Sequence, residues 1–122
     1  MIAQDNWWIL HVDRTSNSQG SDVGLIIANP NRVAVEYTLR FNFSTTNNMA
    51  KYEAHIIGLK ITKELDADEV KVFSDSQLIV SQVQDEYEAK DLTMSRYLQK
   101  IMDLSMSFKK WDIQRIPSSE NA

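Results

Sequence analysis

Two aspartates end two short apolar runs, and that placement is where chemistry would sit in this chain. Val70-Lys71-Val72-Phe73-Ser74 reads as a strand, breaks at Ser74-Asp75-Ser76, and gives way to Gln77-Leu78-Ile79-Val80 at helical spacing. Trp7-Trp8-Ile9-Leu10-His11-Val12 is also strand-like and runs into Asp13-Arg14-Thr15-Ser16-Asn17. Open α/β sheets bind ligands at the C-terminal ends of strands. Carboxylates there suit a hard cation such as Mg²⁺, which takes one or two carboxylates together with substrate phosphates. The competing reading is local: Asp commonly caps a helix or closes a turn at such a junction.

The elements that must position these acids follow from the hydrophobic pattern. A first strand covers 7–13, and a polar stretch at 14–22 separates it from a second at 23–28. Asn29-Pro30-Asn31-Arg32 forms a turn, with Pro at its favoured second position. Val33, Val35, Tyr37, Leu39, Phe41 and Phe43 then alternate, predicting a third strand over 33–43 in a hairpin with the second. Ser44-Thr45-Thr46-Asn47-Asn48 offers helix-capping residues. A helix over 47–65 follows, with Ala50, Ala54, Ile57 and Ile61 at helical spacing, joined by Ile56, Leu59 and Leu65. A fourth strand at 70–74, helices at 76–84 and 92–107, and a fifth strand at 111–116 complete the order. The parallel crossover after the first strand needs a helix, which 47–65 supplies.

The totals bound the class. A chain of 122 residues, 43% apolar with three Trp, four Tyr and four Phe, has the means for one domain spanning 1–122. There is no Cys, so disulfides and thiolate metal sites are excluded. No apolar run approaches a membrane span, and the N-terminus lacks a signal-peptide pattern. The expectation is an intracellular protein, cytoplasmic or nuclear, without a membrane partner. The net charge is −4 and the pI about 5.1. Strong nucleic-acid binders are usually basic somewhere. Here the cations are scattered, apart from Lys109, Lys110 and Arg115, and the stretch 84–91 is acidic.

In family order, Val12-Asp13, Gly20-Ser21-Asp22-Val23-Gly24, Thr46-Asn47-Asn48-Met49-Ala50-Lys51-Tyr52-Glu53-Ala54, Gly58-Leu59, Phe73-Ser74-Asp75-Ser76-Gln77-Leu78, Glu86-Tyr87-Glu88-Ala89-Lys90-Asp91 and Ile116-Pro117-Ser118-Ser119-Glu120-Asn121-Ala122 run through nearly the whole chain. Together they resemble ribonuclease H type 1, most nearly the ribonuclease-H-like domains of plant retroelement polyproteins and their cellular relatives. The resemblance implies a five-stranded mixed α/β sheet, ordered 3-2-1-4-5, with helices on its faces and the family's final helix absent from this C-terminally shortened chain. It implies cleavage of the RNA strand of an RNA–DNA hybrid by four carboxylates holding two Mg²⁺ ions. Two metals about 3.5–4 Å apart can activate water and stabilise the leaving oxygen.

Carried onto this sequence, the first and third acids fall on Asp13 and Asp75. The second falls on Lys51, where the family has Glu. Glu53 lies two residues on, a spacing that does not share a helix face, and reads as an outward residue. The fourth acid would follow Asn121-Ala122, where the chain stops. Arg14 stands where the family usually has Gly. Asn47, Asn48 and Gln77 match hybrid-contacting positions, and the two asparagines serve equally as helix caps. The resemblance therefore implies a Mg²⁺ site that is weak or absent and a degenerate hybrid nuclease that binds nucleic acid weakly. The other reading is an interaction module, retained on the scaffold for a nucleic-acid or protein partner.

Overall fold

The computed structural model describes residues 6–14, 22–40, 47–84 and 92–116, with the side chains of Arg14, Asn47 and Asn48 outside the description. The strands are β1 (Trp7–Arg14), β2 (Asp22–Ala28), β3 (Ala34–Arg40), β4 (Glu69–Ser74) and β5 (Lys110–Arg115). The helices are α1 (Asn47–Glu64), α2 (Gln77–Val83) and α3 (Leu92–Met106). None is long and apolar enough to cross a membrane. The strands form one sheet in the order β3-β2-β1-β4-β5. β1, β2 and β3 are antiparallel neighbours, and β4 runs parallel to both β1 and β5. This is the topology the chain order demands: a tight turn joins β2 to β3, and α1 carries the chain across to β4. The turn is held by the Asn29 side chain, whose Oδ1 accepts from the backbone N–H groups of Asn31 and Val33.

Period two sorts the strand residues into two faces. Leu10 and Val12 of β1, Val23, Leu25 and Ile27 of β2, Val70 and Val72 of β4, and Ile113 of β5 are buried on one. α1 lies over that face and α3 packs on α1. β4 is thus not buried on both sides: its residues alternate between buried and half-buried. The opposite face carries Trp7, Ile9, His11 and Asp13, with His11 stacked on Phe73 at 5.2 Å and Lys71 over the Trp7 ring. On β3, Tyr37 and Leu39 pack against the core, while Val35 and, just before the strand, Val33 are exposed. The expected continuation of this strand to Phe43 lies outside the described residues.

The buried stripe of α1 differs from the expected one. Tyr52, His55 and Thr62 are fully buried beside Ala50, Ala54, Ile56 and Leu59; Ile57 and Ile61 are half-buried, and Leu65 is exposed. The helix is covered on two sides, by the sheet and by α3, so a single apolar stripe does not describe it. Two of its buried polar groups are bonded individually: Thr62 donates to the Gly58 carbonyl at 2.7 Å, and the Tyr52 hydroxyl donates to Gln82 Oε1 on α2. At Gly58, α1 approaches β1 closely. A Cβ there would stand 2.9 Å from Leu10 Cδ1. Gly58→Val is expected to cost about 1–3 kcal/mol through overpacking, read as a lower urea midpoint; an unchanged midpoint would mean that the helix can lift off β1 freely.

Candidate active site

Parallel pairing of β1 with β4 sets Val12 opposite Ser74. The next residue on each chain is an aspartate, so Asp13 and Asp75 stand at the ends of adjacent strands, which are about 4.8 Å apart in any sheet. Asp13 is half-buried at the end of β1, opposite Gly24 of β2. It lines a cavity of about 230 Å³ on the outer sheet face with His11, Gly24, Ile26, Glu36 and Thr38. Burial holds the His11 imidazole below its ordinary pKa, against the opposing pull of the Asp13 charge.

Asp75 lies in the two-residue junction between β4 and α2. Ser76 caps α2, its hydroxyl accepting from Ile79 N, while the Ser74 hydroxyl accepts from Ser76 N at 3.1 Å. These bonds fix the turn and bring Asp75 beneath the first turns of α1. Lys51 meets it there, Nζ to Oδ1 at 3.0 Å, with the two side chains only 13% and 7% exposed. That oxygen makes no hydrogen bond of regular geometry, so the contact is an ion pair.

His55 follows one turn after Lys51 and is 1% exposed. Its Nδ1–H donates to the Lys51 carbonyl at 2.7 Å, which leaves Nε2 as the unprotonated nitrogen, with no hydrogen-bond partner among the described residues. Burial lowers its pKa to about 4; the Lys51 carbonyl and the Asp75 charge oppose that shift, and the Lys51 charge adds to it. Reading the sequence does not single out His55. Its only signal is the spacing of four from Lys51, which places both on one side of α1.

The other named residues are dispersed. Asn47 and Asn48 begin α1, and Gln77, exposed, begins α2. Glu53 is half-buried rather than outward; it acts on the Tyr97 hydroxyl, and burial together with this carboxylate raises the tyrosine's pKa. Residues 85–91 and 117–122, where the acidic stretch and the Asn121-Ala122 ending fall, lie outside the described residues. No group of three or more His, Cys, Asp or Glu among the described residues is arranged to hold a metal ion. With an ammonium at 3.0 Å from one carboxylate, this donor set does not fit a pair of Mg²⁺ ions.

A family model described as reverse transcriptase-like matches residues 11–122. The chain belongs to this family and is a ribonuclease H type 1 domain. A ribonuclease HI of Halobacterium salinarum is 29% identical over 76 residues, which span 62% of this chain and 38% of the relative. The chain thus matches well under half of that relative's length. Among solved structures, ribonuclease H1 from Halobacterium salinarum NRC-1 superposes with a TM-score of 0.82 at 24% identity, over 94% of this chain and 89% of that one, a likeness of fold. LC11-RNase H1 in complex with an RNA/DNA hybrid superposes with a TM-score of 0.77 at 28% identity, over 94% and 88% of the two chains. The same enzyme, isolated from compost by a metagenomic approach, gives 0.77 at 29% identity, over 96% and 89%. The ribonuclease H fold sets strands β1 and β4 side by side, and in this member Asp75 at the β4 end is met by a lysine.

Proposed function

We propose that this domain is a ribonuclease-H-type nucleic-acid module whose hybrid-cleaving chemistry is lost or severely impaired. The Lys51–Asp75 ion pair carries the reading. A divalent cation would have to approach Asp75 against an ammonium about 3 Å away, and Coulomb repulsion at that range is several kcal/mol even at an effective dielectric of about 20. Lys51 thereby does electrostatically what a metal would do for Asp75, and does it without a Lewis acid or an activated water. Asp13 and Asp75 remain the acids of the ancestral site, with Asn47, Asn48 and Gln77 as contacts to an RNA–DNA hybrid of the kind bound by LC11-RNase H1. The motif series supports descent from a retroelement polyprotein and work inside the cell, where hybrids occur. The alternative is a scaffold that serves a protein partner without touching nucleic acid.

The test joins calorimetry with Mg²⁺ and Mn²⁺ to hybrid cleavage on the same sample. Weak or undetectable metal binding and little cleavage are expected. Lys51→Glu alone should improve metal binding, because a negative neighbour replaces a positive one. Restored cleavage should also need the complete set of four acids, since members of a two-metal clamp act as a unit. Robust Mg²⁺-dependent cleavage by the unaltered chain would overturn the proposal.

A further inference from the structure

One face of α3 presents cations with no ion-pair partner among the described residues. Thr93, Arg96 and Lys100 follow one another at spacings of three and four, so they line one side of the helix, and all three are exposed. With Tyr97 they line a cleft of about 280 Å³. Like charges four residues apart oppose a helix. The ion pairs Asp22–Arg40 and Lys51–Asp75 lie elsewhere, and neither Arg96 nor Lys100 has an ion-pair partner among the described residues. Asp103, three residues beyond Lys100, accepts from Gln99 at 2.9 Å and forms no ion pair with Lys100.

The cleft also has a defined relation to the site. Tyr97 stacks on Tyr52 with centroids 5.6 Å apart and rings inclined by 9°. Tyr52 is the residue after Lys51 on α1, and its hydroxyl is tied to Gln82 of α2. One stacked pair of rings therefore joins the lining of the cleft to the helix that carries Lys51. A guanidinium, an ammonium and a hydroxyl on one line, opening on a cleft of this size, match a phosphodiester: Arg supplies a planar donor fork, Lys a point charge, and Thr a single donor.

We propose that the Thr93–Arg96–Lys100 face of α3 binds the phosphate backbone of a nucleic-acid strand running beside the Lys51–Asp75 site. The proposal rests on the reading of this domain as a nucleic-acid module. It assigns the grip to α3 in a protein whose net charge is −4 and whose other cations are scattered apart from Lys109, Lys110 and Arg115. Two phosphate contacts on one rigid helix hold the strand in register but read no sequence.

The experiment is fluorescence anisotropy of a labelled RNA–DNA hybrid titrated with the 122-residue chain at a series of salt concentrations. Three proteins are compared: the wild type, Arg96→Gln/Lys100→Gln, and Lys109→Gln/Lys110→Gln, which removes the same charge at the start of β5. All four positions are exposed, and circular dichroism checks that each variant is folded. The α3 variant is expected to bind at least about tenfold more weakly, and its log K against log salt slope to be shallower by about 1.4–1.8, the release expected for two phosphates. The β5 variant is expected to change little. Equal losses in both variants, or an unchanged slope in the α3 variant, would overturn the assignment to α3 and leave the nucleic-acid reading standing. A wild type that binds no hybrid even at low salt would overturn both.

Discussion

Replacing Lys51 by Met is expected to destabilise the domain by about 3–5 kcal/mol at neutral pH, the cost of leaving one member of a buried ion pair unpaired. Asp75 is 7% exposed and sits in a turn whose backbone bonds hold it in place, so it cannot swing out to solvent without unmaking the start of α2. The double variant Lys51→Met/Asp75→Asn removes both charges and should recover most of the loss, because a buried amide costs far less than a buried carboxylate. Urea unfolding of wild type, both single variants and the double closes the cycle. A Lys51→Met variant within about 1 kcal/mol of wild type, the range of exposed pairs, would show that the pair is solvated. It would also remove the argument that lysine stands in for a cation. The double variant separates two roles that activity alone confounds. It lacks the pair's charge but keeps the fold, so any metal it binds must be held without Asp75.

What can be read from the sequence depends on how local each signal is. The junction at Ser74-Asp75-Ser76 is written in adjacent residues: a strand run, a turn residue and an N-cap, all within hydrogen-bond reach of one another. The alternation in β3 and the turn at Asn29–Arg32 are local in the same sense. The adjacency of β1 and β4 is not local. It follows from the connection rules and the family likeness, and so does the place of Lys51 at the position of an acid of the same site as Asp75, across a gap of 24 residues in the chain. Periodicity misplaces the stripe of α1 because it assumes one apolar face, whereas α1 is packed between the sheet and α3. Tyr52, His55 and Thr62 can then be buried as polar groups: Thr62 and His55 bond carbonyls one turn back on α1, and Tyr52 reaches Gln82 on α2. Nothing in the order of residues announces a hydrogen bond from Tyr52 to Gln82, 30 positions away. Glu53 reads as solvated in the sequence for the same reason: its partner, Tyr97, is supplied by another helix.

His55 makes the second large expectation, a loss of stability in mild acid that can be traced to one side chain. Its folded pKa is about 4, pushed down from about 6.5 by burial. The fold therefore holds the neutral imidazole, and the unfolded chain takes up the proton first as pH falls. The sign follows: the unfolded state binds more protons between these values, so stability rises with pH there. The contribution is complete above about pH 6.5, declines as pH drops, and is gone below about 4. Each tenfold loss of proton affinity corresponds to roughly 1.4 kcal/mol, which makes the change about 3 kcal/mol. Other groups titrate in the same range, so the informative quantity is a difference. His55→Leu, close in volume and uncharged, removes this one proton and leaves the carboxylates in place. Between pH 7 and pH 4, urea unfolding should show wild type losing about 3 kcal/mol more than the variant. Parallel curves would mean that the imidazole is hydrated in the native protein. Nε2 would then not be the desolvated, unpartnered nitrogen that the packing against Lys51 and Asp75 creates.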